Sequence, residues 1–197
     1  PVMTQRPTGL IDADGRLAIA RWRPSPNADE RPRGVEPDML VIHSISLPPG
    51  EFGGPWIEQL FCNQLDLDAH PYFATLAGLR VSAHLVIRRD GELLQFVALH
   101  RRAWHAGRSS FRGRPECNDY AIGIELEGTD QTPFSDAQYR QLARVTGLIR
   151  TGYPAITADR ITGHQDIAPG RKTDPGPTFD WERYLAAVPA RVTPPTD

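Results

Sequence analysis

The chain has 197 residues, 40% of them hydrophobic and 23% charged, with 22 basic against 24 acidic side chains and a formal net charge of −2. Two full domains of about 150 residues each do not fit in that length, so one globular domain is expected. The near-neutral balance argues against a protein that holds nucleic acid or anionic lipid through bulk charge, and no stretch approaches the roughly 20 apolar residues that span a bilayer.

In chain order, Pro1 to Pro7 lacks the apolar run of a secretory signal. Pro1 and Val2 read as a remnant ahead of a native start at Met3, so a cytoplasmic protein is expected. Residues 1–16 read as a flexible N-terminal extension, 17–188 as the folded domain and 189–197 as a tail. Leu17 to Trp22 suits an edge strand. Residues 24–38 are too rich in proline and polar groups for regular structure and predict an ordered loop. Met39 to Ile42 is a continuous apolar run ending at His43, the pattern of a strand buried on both faces. Leu47 to Pro55, with three prolines and three glycines, forms a long loop just beyond that strand, a suitable cover for a site. Short helices are expected at Trp56–Cys62 and Pro71–Gly78.

Ser82–Ile87 and Leu93–Val97 flank Asp90-Gly91, a strong hairpin signal. Ala121–Glu127 alternates, with Ile122, Ile124 and Leu126 on one face and Gly123, Glu125 and Glu127 on the other. Ser135 and Gln138 fit a capping box, and Leu142, Val145 and Ile149 continue at helical spacing until Gly152 and Pro154 close the helix. A last helix is expected from about Asp180 to Val188. These elements predict an α/β fold, a single domain with a mixed central β-sheet flanked by helices.

Cys62 and Cys117 lack the paired spacing of a zinc knuckle and read as free, buried thiols. Of six histidines, His43 and His164 stand out by context. His43 ends an apolar strand beside a Gly/Pro loop, and His164 opens the segment Gln165 to Gly176. No histidine pair has the close spacing of a helix-borne zinc site, which leaves a site assembled from distant segments. A catalytic zinc needs about three nitrogen or carboxylate ligands and one open position. A nearby carboxylate then serves as base, and a cation stabilises the oxyanion. Glu125 and Lys172 are the right types, although spacing alone does not select them. Lys172 is the only lysine among the 22 basic residues; codon bias explains the arginines and gives no reason for the exception.

Five separated segments, taken together, resemble the zinc amidase and peptidoglycan recognition family. They are Leu40–Gly53, Arg80–His84, Arg102–Gly107, Cys117–Asp130 and Gly163–Gly176, collinear over about residues 20 to 188. The resemblance implies the family's mixed-sheet fold and one Zn2+ ion held by His43, His164 and Asp174. Glu125 corresponds to the acidic residue that activates the attacking water, and Lys172 to the lysine that stabilises the transition state. Glu127 is expected to be structural.

The implied reaction is hydrolysis of the amide between the lactyl group of 1,6-anhydro-N-acetylmuramic acid and L-alanine of a stem peptide. It belongs to cell-wall recycling and lowers the muropeptide signal for β-lactamase induction. Ser44, Arg80, Trp104 and Arg171 lie in matched segments as candidate substrate-binding residues. His84 and His105 match no ligand and are expected to be structural. Ser44 stands where the family often has Asn, and Gln165 where it often has Cys. A monomer acting on a small muropeptide, without nucleic acid or membrane, is expected. The other readings are a non-catalytic peptidoglycan-binding protein, which would have lost a ligand, and an amidase acting on intact murein, which would carry a signal peptide.

Overall fold

In the computed structural model of the chain, which describes residues 10–189, six strands pair into one mixed sheet. They are β1 (Arg21–Trp22), β2 (Met39–Ile45), β3 (Leu85–Ile87), β4 (Leu93–Gln95), β5 (Ala121–Glu127) and β6 (Ile161–Gly163), in spatial order β1-β4-β3-β5-β2-β6. Four α-helices accompany them: α1 (Trp56–Phe61), α2 (Asp136–Gly152), α3 (His164–Ile167) and α4 (Trp181–Ala187). The β3–β4 pair is the predicted hairpin and runs antiparallel, with Gly91 at φ 90° in its turn, while the other pairings are parallel. Parallel strands are covered on both faces, and β5 is buried at all seven positions. The carboxylate-bearing face of β5 is therefore interior.

The opposite face packs on α2. Its start is the predicted capping box: Ser135 Oγ accepts from the Gln138 N–H at 3.1 Å, and Gln138 Oε1 accepts from the Ser135 N–H at 3.1 Å. Leu142, Val145 and Ile149 share one core with Leu40, Ile42, Ile122 and Ile124, each such side chain contributing about 2 kcal/mol by burial. Helix α4 closes this layer through Tyr184, which is fully buried and whose hydroxyl lies 2.6 Å from Thr146 Oγ1. On the other face α1 joins Val86, Leu94 and Phe96 through Ile57, Leu60 and Phe61. On the same face Phe73 joins that cluster, and Ile167 of α3 shares a smaller one with Met39 and Val41.

Several elements differ from the sequence expectation. The edge strand shrinks to Arg21–Trp22, and Pro71–Gly78 forms a 3-10 helix over Pro71–Leu76. The loop at 24–38 contributes Ala28–Asp29, paired antiparallel to Arg102–Ala103. Ile11, which the sequence reading leaves in the extension, is buried in the main core. Strand β6 and the small hairpin of Ser110–Phe111 and Arg114–Pro115 are too short to show a period. The expectations for residues 1–9 and 190–197 lie outside the described residues. No described helix is long and apolar enough to cross a membrane.

Candidate metal centre and active site

Sheet register brings the site together. On adjacent parallel strands His43 of β2 pairs with Glu125 of β5, and Ile42 pairs with Gly163, the residue before His164. The carboxyl ends of parallel strands are where open α/β sheets place their ligands. From α3 the chain loops back so that the Gln165 N–H donates to the Asp174 carbonyl at 2.9 Å. That bond uses the backbone, so Gln165 serves it as well as another residue would. Thr173 Oγ1 donates to Asp130 Oδ2, bracing the same loop.

Three donor atoms converge there. His43 Nδ1 and His164 Nδ1 are 3.0 Å apart, and Asp174 Oδ2 lies 3.2 Å from the first and 3.3 Å from the second. A tetrahedral zinc with bonds of about 2.0–2.1 Å separates its ligand atoms by about 3.3 Å, so the triangle has the right edge for that ion. His164 Nε2 lies 2.9 Å from the Ala106 carbonyl oxygen; it must carry the hydrogen, which leaves Nδ1 as the lone-pair nitrogen aimed at the triangle. Among the described residues this is the cluster of His, Cys, Asp and Glu that suits a metal ion. The two histidines are buried and Asp174 is half-buried.

Electrostatics separate the two carboxylates beside this cluster. Burial opposes ionisation of Asp174, but its close contacts with His164 and His43 outweigh it and hold Asp174 well below the ordinary carboxylate range. Glu125 has no such support: burial, reinforced by the nearby Asp174 charge, raises its pKa well above the ordinary 4.5 despite Lys172. Its Oε1 is 3.8 Å from His43 Nδ1, and its buried Oε2 has no hydrogen-bond partner. Burial also lowers the His43 pKa, against the pull of the adjacent Asp174 carboxylate. The imidazole is therefore neutral, as a metal ligand must be.

A cleft of about 330 Å³ opens onto the cluster, lined by Glu125, His164, Lys172 and Asp174 together with the apolar or aromatic Leu60, Tyr72 and Leu79. Lys172 itself is exposed. Of the candidate substrate residues, Ser44 and Trp104 line this cleft. Arg80 is exposed between two lining residues, Leu79 and Val81. Arg171 is exposed too, and its Nη2 donates to the carbonyls of Ala106 at 2.7 Å and Arg108 at 2.8 Å.

A larger depression of about 560 Å³ is lined in part by Arg21, Glu58, Arg88 and Glu92, which pair with one another. The loop expected to cover the site divides between the two. Leu47 lines the cleft, whereas Phe52 to Pro55 line the larger depression, because Glu127 Oε2 accepts the Gly53 N–H at 2.9 Å and holds the loop there.

His84 is structural, as expected. Its Nδ1 accepts the Gly123 N–H at 3.0 Å, its Nε2 donates to the Arg101 carbonyl at 2.8 Å, and burial lowers its pKa to about 3. His105 sits closer to the chemistry than the sequence suggested: its Nδ1 is 2.9 Å from His43 Nε2. The available signal was Gly123, which shares a strand face with Glu125. A Cβ at that position would come within 2.5 Å of His105 Cγ, so glycine makes room for the ring.

A profile of N-acetylmuramoyl-L-alanine amidases matches residues 33–177. A 1,6-anhydro-N-acetylmuramyl-L-alanine amidase, AmpD of Citrobacter freundii, is 62% identical over 91% of this chain and 95% of its own length. The crystal structure of a Se-Met AmpD derivative superposes with a TM-score of 0.89, at 61% identity over 92% of this chain and all of that one. AmiD from E. coli, in complex with the substrate anhydro-N-acetylmuramic acid-L-Ala-D-γ-Glu-L-Lys, superposes with a TM-score of 0.57, at 28% identity over 82% of this chain and 65% of that one.

Proposed function

The chain belongs to the N-acetylmuramoyl-L-alanine amidase family, and from that premise we propose that it uses one zinc ion to hydrolyse the amide between the lactyl group of 1,6-anhydro-N-acetylmuramic acid and L-alanine of a stem peptide. The observation that carries this reading is the triangle of His43, His164 and Asp174 donor atoms with the unpartnered Glu125 oxygen beside it. Zinc held by those three residues would supply a Lewis acid and lower the pKa of a water to about 7.

Glu125 has the placement and the raised pKa of a general base. It takes the proton of the attacking water and later gives it to the alanine nitrogen as the amide C–N bond breaks. Lys172, a compact cation on the cleft wall, stabilises the oxyanion of the tetrahedral intermediate, where a planar guanidinium would need more room. Asp174 stays ionised, and His43 stays neutral. The products are the lactyl carboxylate of the anhydrosugar and a free peptide amine.

Trp104 offers a ring for the sugar to stack on and Ser44 a hydroxyl to hydrogen-bond it, while Arg80 suits the peptide carboxylates. The Arg171 guanidinium, anchored on two carbonyls, can meet a carboxylate only with its remaining N–H groups. The reaction belongs to cytoplasmic cell-wall recycling and lowers the signal that induces β-lactamase. All five proposed ligands and catalytic groups come from one chain, so a monomer suffices.

The test is to incubate the zinc-loaded protein with the anhydromuramyl tripeptide and, separately, with intact murein, and to identify released peptide by mass spectrometry. Release from the small substrate is expected. Equal release from murein would favour an enzyme of the intact wall, and zinc binding without release would favour a recognition protein.

A further inference from the structure

The segment Arg102-Ala-Trp-His-Ala-Gly107 stood out in the sequence, and the mechanism above uses only Trp104. We propose that this segment sets the orientation of both zinc-binding histidines, with His105 as the positioning residue for His43 and the Ala106 carbonyl doing the same for His164; the inference rests on the zinc reading and adds to it.

Donors and acceptors around the two rings decide their tautomers. A carbonyl only accepts, so the 2.9 Å contact between His164 Nε2 and the Ala106 oxygen fixes one imidazole with its Nδ1 lone pair toward the site. His43 has a less definite partner, because both nitrogens of its 2.9 Å contact with His105 can donate or accept. Two assignments exist. If His105 Nδ1 donates, His43 Nδ1 carries a hydrogen that points at His164 Nδ1 and Asp174 Oδ2, and no metal can bind there. If His105 Nδ1 accepts, His43 Nε2 carries the hydrogen and its Nδ1 is free for the metal. His105 Nε2 is buried without a partner in either case, so the tautomer of His105 is not fixed from its far side. Zinc at His43 Nδ1 therefore requires the state in which His105 Nδ1 accepts, and His105 then holds the His43 Nε2–H in place.

The segment is built to hold this geometry. Asn118 Oδ1 accepts both the His105 N–H at 3.1 Å and the Ala106 N–H at 2.8 Å. The His105 ring meets His43 edge to face, with centroids 5.0 Å apart at 85°, and is seated over Gly123, where a Cβ would reach within 2.5 Å of it. Arg171 Nη2 donates to the Ala106 oxygen at 2.7 Å, pinning the acceptor that His164 uses. Hydrogen-bond partners behind a metal-binding histidine fix its tautomer and typically contribute about 10–100-fold to metal affinity.

The test compares zinc affinity, by chelator competition, for wild type, His105→Phe and His105→Gln. Phenylalanine keeps a ring and removes the acceptor; glutamine restores an acceptor oxygen. We expect the Phe variant to bind zinc about 10–100-fold more weakly and the Gln variant to recover most of that loss. Affinity for the Phe variant within about twofold of wild type, or equal losses in both variants, would overturn the inference. Nitrogen-15 NMR of the zinc-loaded wild type gives a second readout that needs no variant: His43 Nε2 and His105 Nε2 protonated, His105 Nδ1 not. A proton on His105 Nδ1 would overturn the inference. A wild-type chain that takes up no zinc would overturn the zinc reading beneath it.

Discussion

Glu125 and Glu127 stand two residues apart on the same face of β5, and their carboxylates meet opposite surroundings. Glu127 accepts the N–H groups of Gly53 at 2.9 Å and Arg89 at 3.1 Å and pairs with Arg88 at 3.3 Å. Glu125 faces the histidine cluster with one oxygen unpartnered. A buried carboxylate that folding leaves unsatisfied marks a functional group, because unpaired polar atoms cost stability.

This contrast predicts how stability of the zinc-free chain depends on pH. The folded-state pKa of Glu125 is raised above its ordinary 4.5. Between those two values the folded state binds the proton more tightly than the unfolded state does, so stability falls as pH rises through that window. Glu125→Gln removes this dependence. The zinc-free variant should match wild type at acidic pH and unfold at a higher temperature at neutral pH, as thermal scans will show. A neutral-pH melting temperature below that of wild type would contradict the assignment.

Glu127→Ala should act in the opposite direction. It removes one of the three carboxylates that pair with Arg88, leaving Glu58 and Glu92, and strands two backbone N–H groups, an expected loss of about 3 kcal/mol by denaturant titration. Zinc stoichiometry should stay at the wild-type value. A variant that kept its stability but lost zinc would give Glu127 a part in the metal site instead.

For Lys172→Gln the expected outcome is an unchanged zinc content with kcat lower by on the order of 10²-fold, the effect of losing one oxyanion donor. Metal analysis and steady-state kinetics separate the two. Loss of zinc would show that Lys172 supports the ligands rather than the reaction.

How much of this was legible in the sequence depended on the length of each pattern. The seven-residue alternation of Ala121 to Glu127 announced both the strand and its carboxylate face, and the capping box at Ser135 announced α2. The three-residue strand before His164 carries no period of its own, yet its register beside Ile42 places that histidine next to His43. The metal triangle spans residues 43 to 174, so it followed from the resemblance and not from spacing. His105 escaped because its contact partner is 62 positions away, and a lone histidine has no pattern to read. The half of the 47–55 loop that faces away from the site depends on its bond to Glu127, which is equally non-local.

The most direct test of zinc catalysis at His43, His164 and Asp174 is a zinc titration of the fully chelated chain, following peptide release from the anhydromuramyl tripeptide. Cleavage should be absent without metal, return in proportion to added zinc until one ion is bound per chain, and fail to return in Asp174→Asn. Cleavage by the fully zinc-free chain, or full recovery in Asp174→Asn, would contradict it.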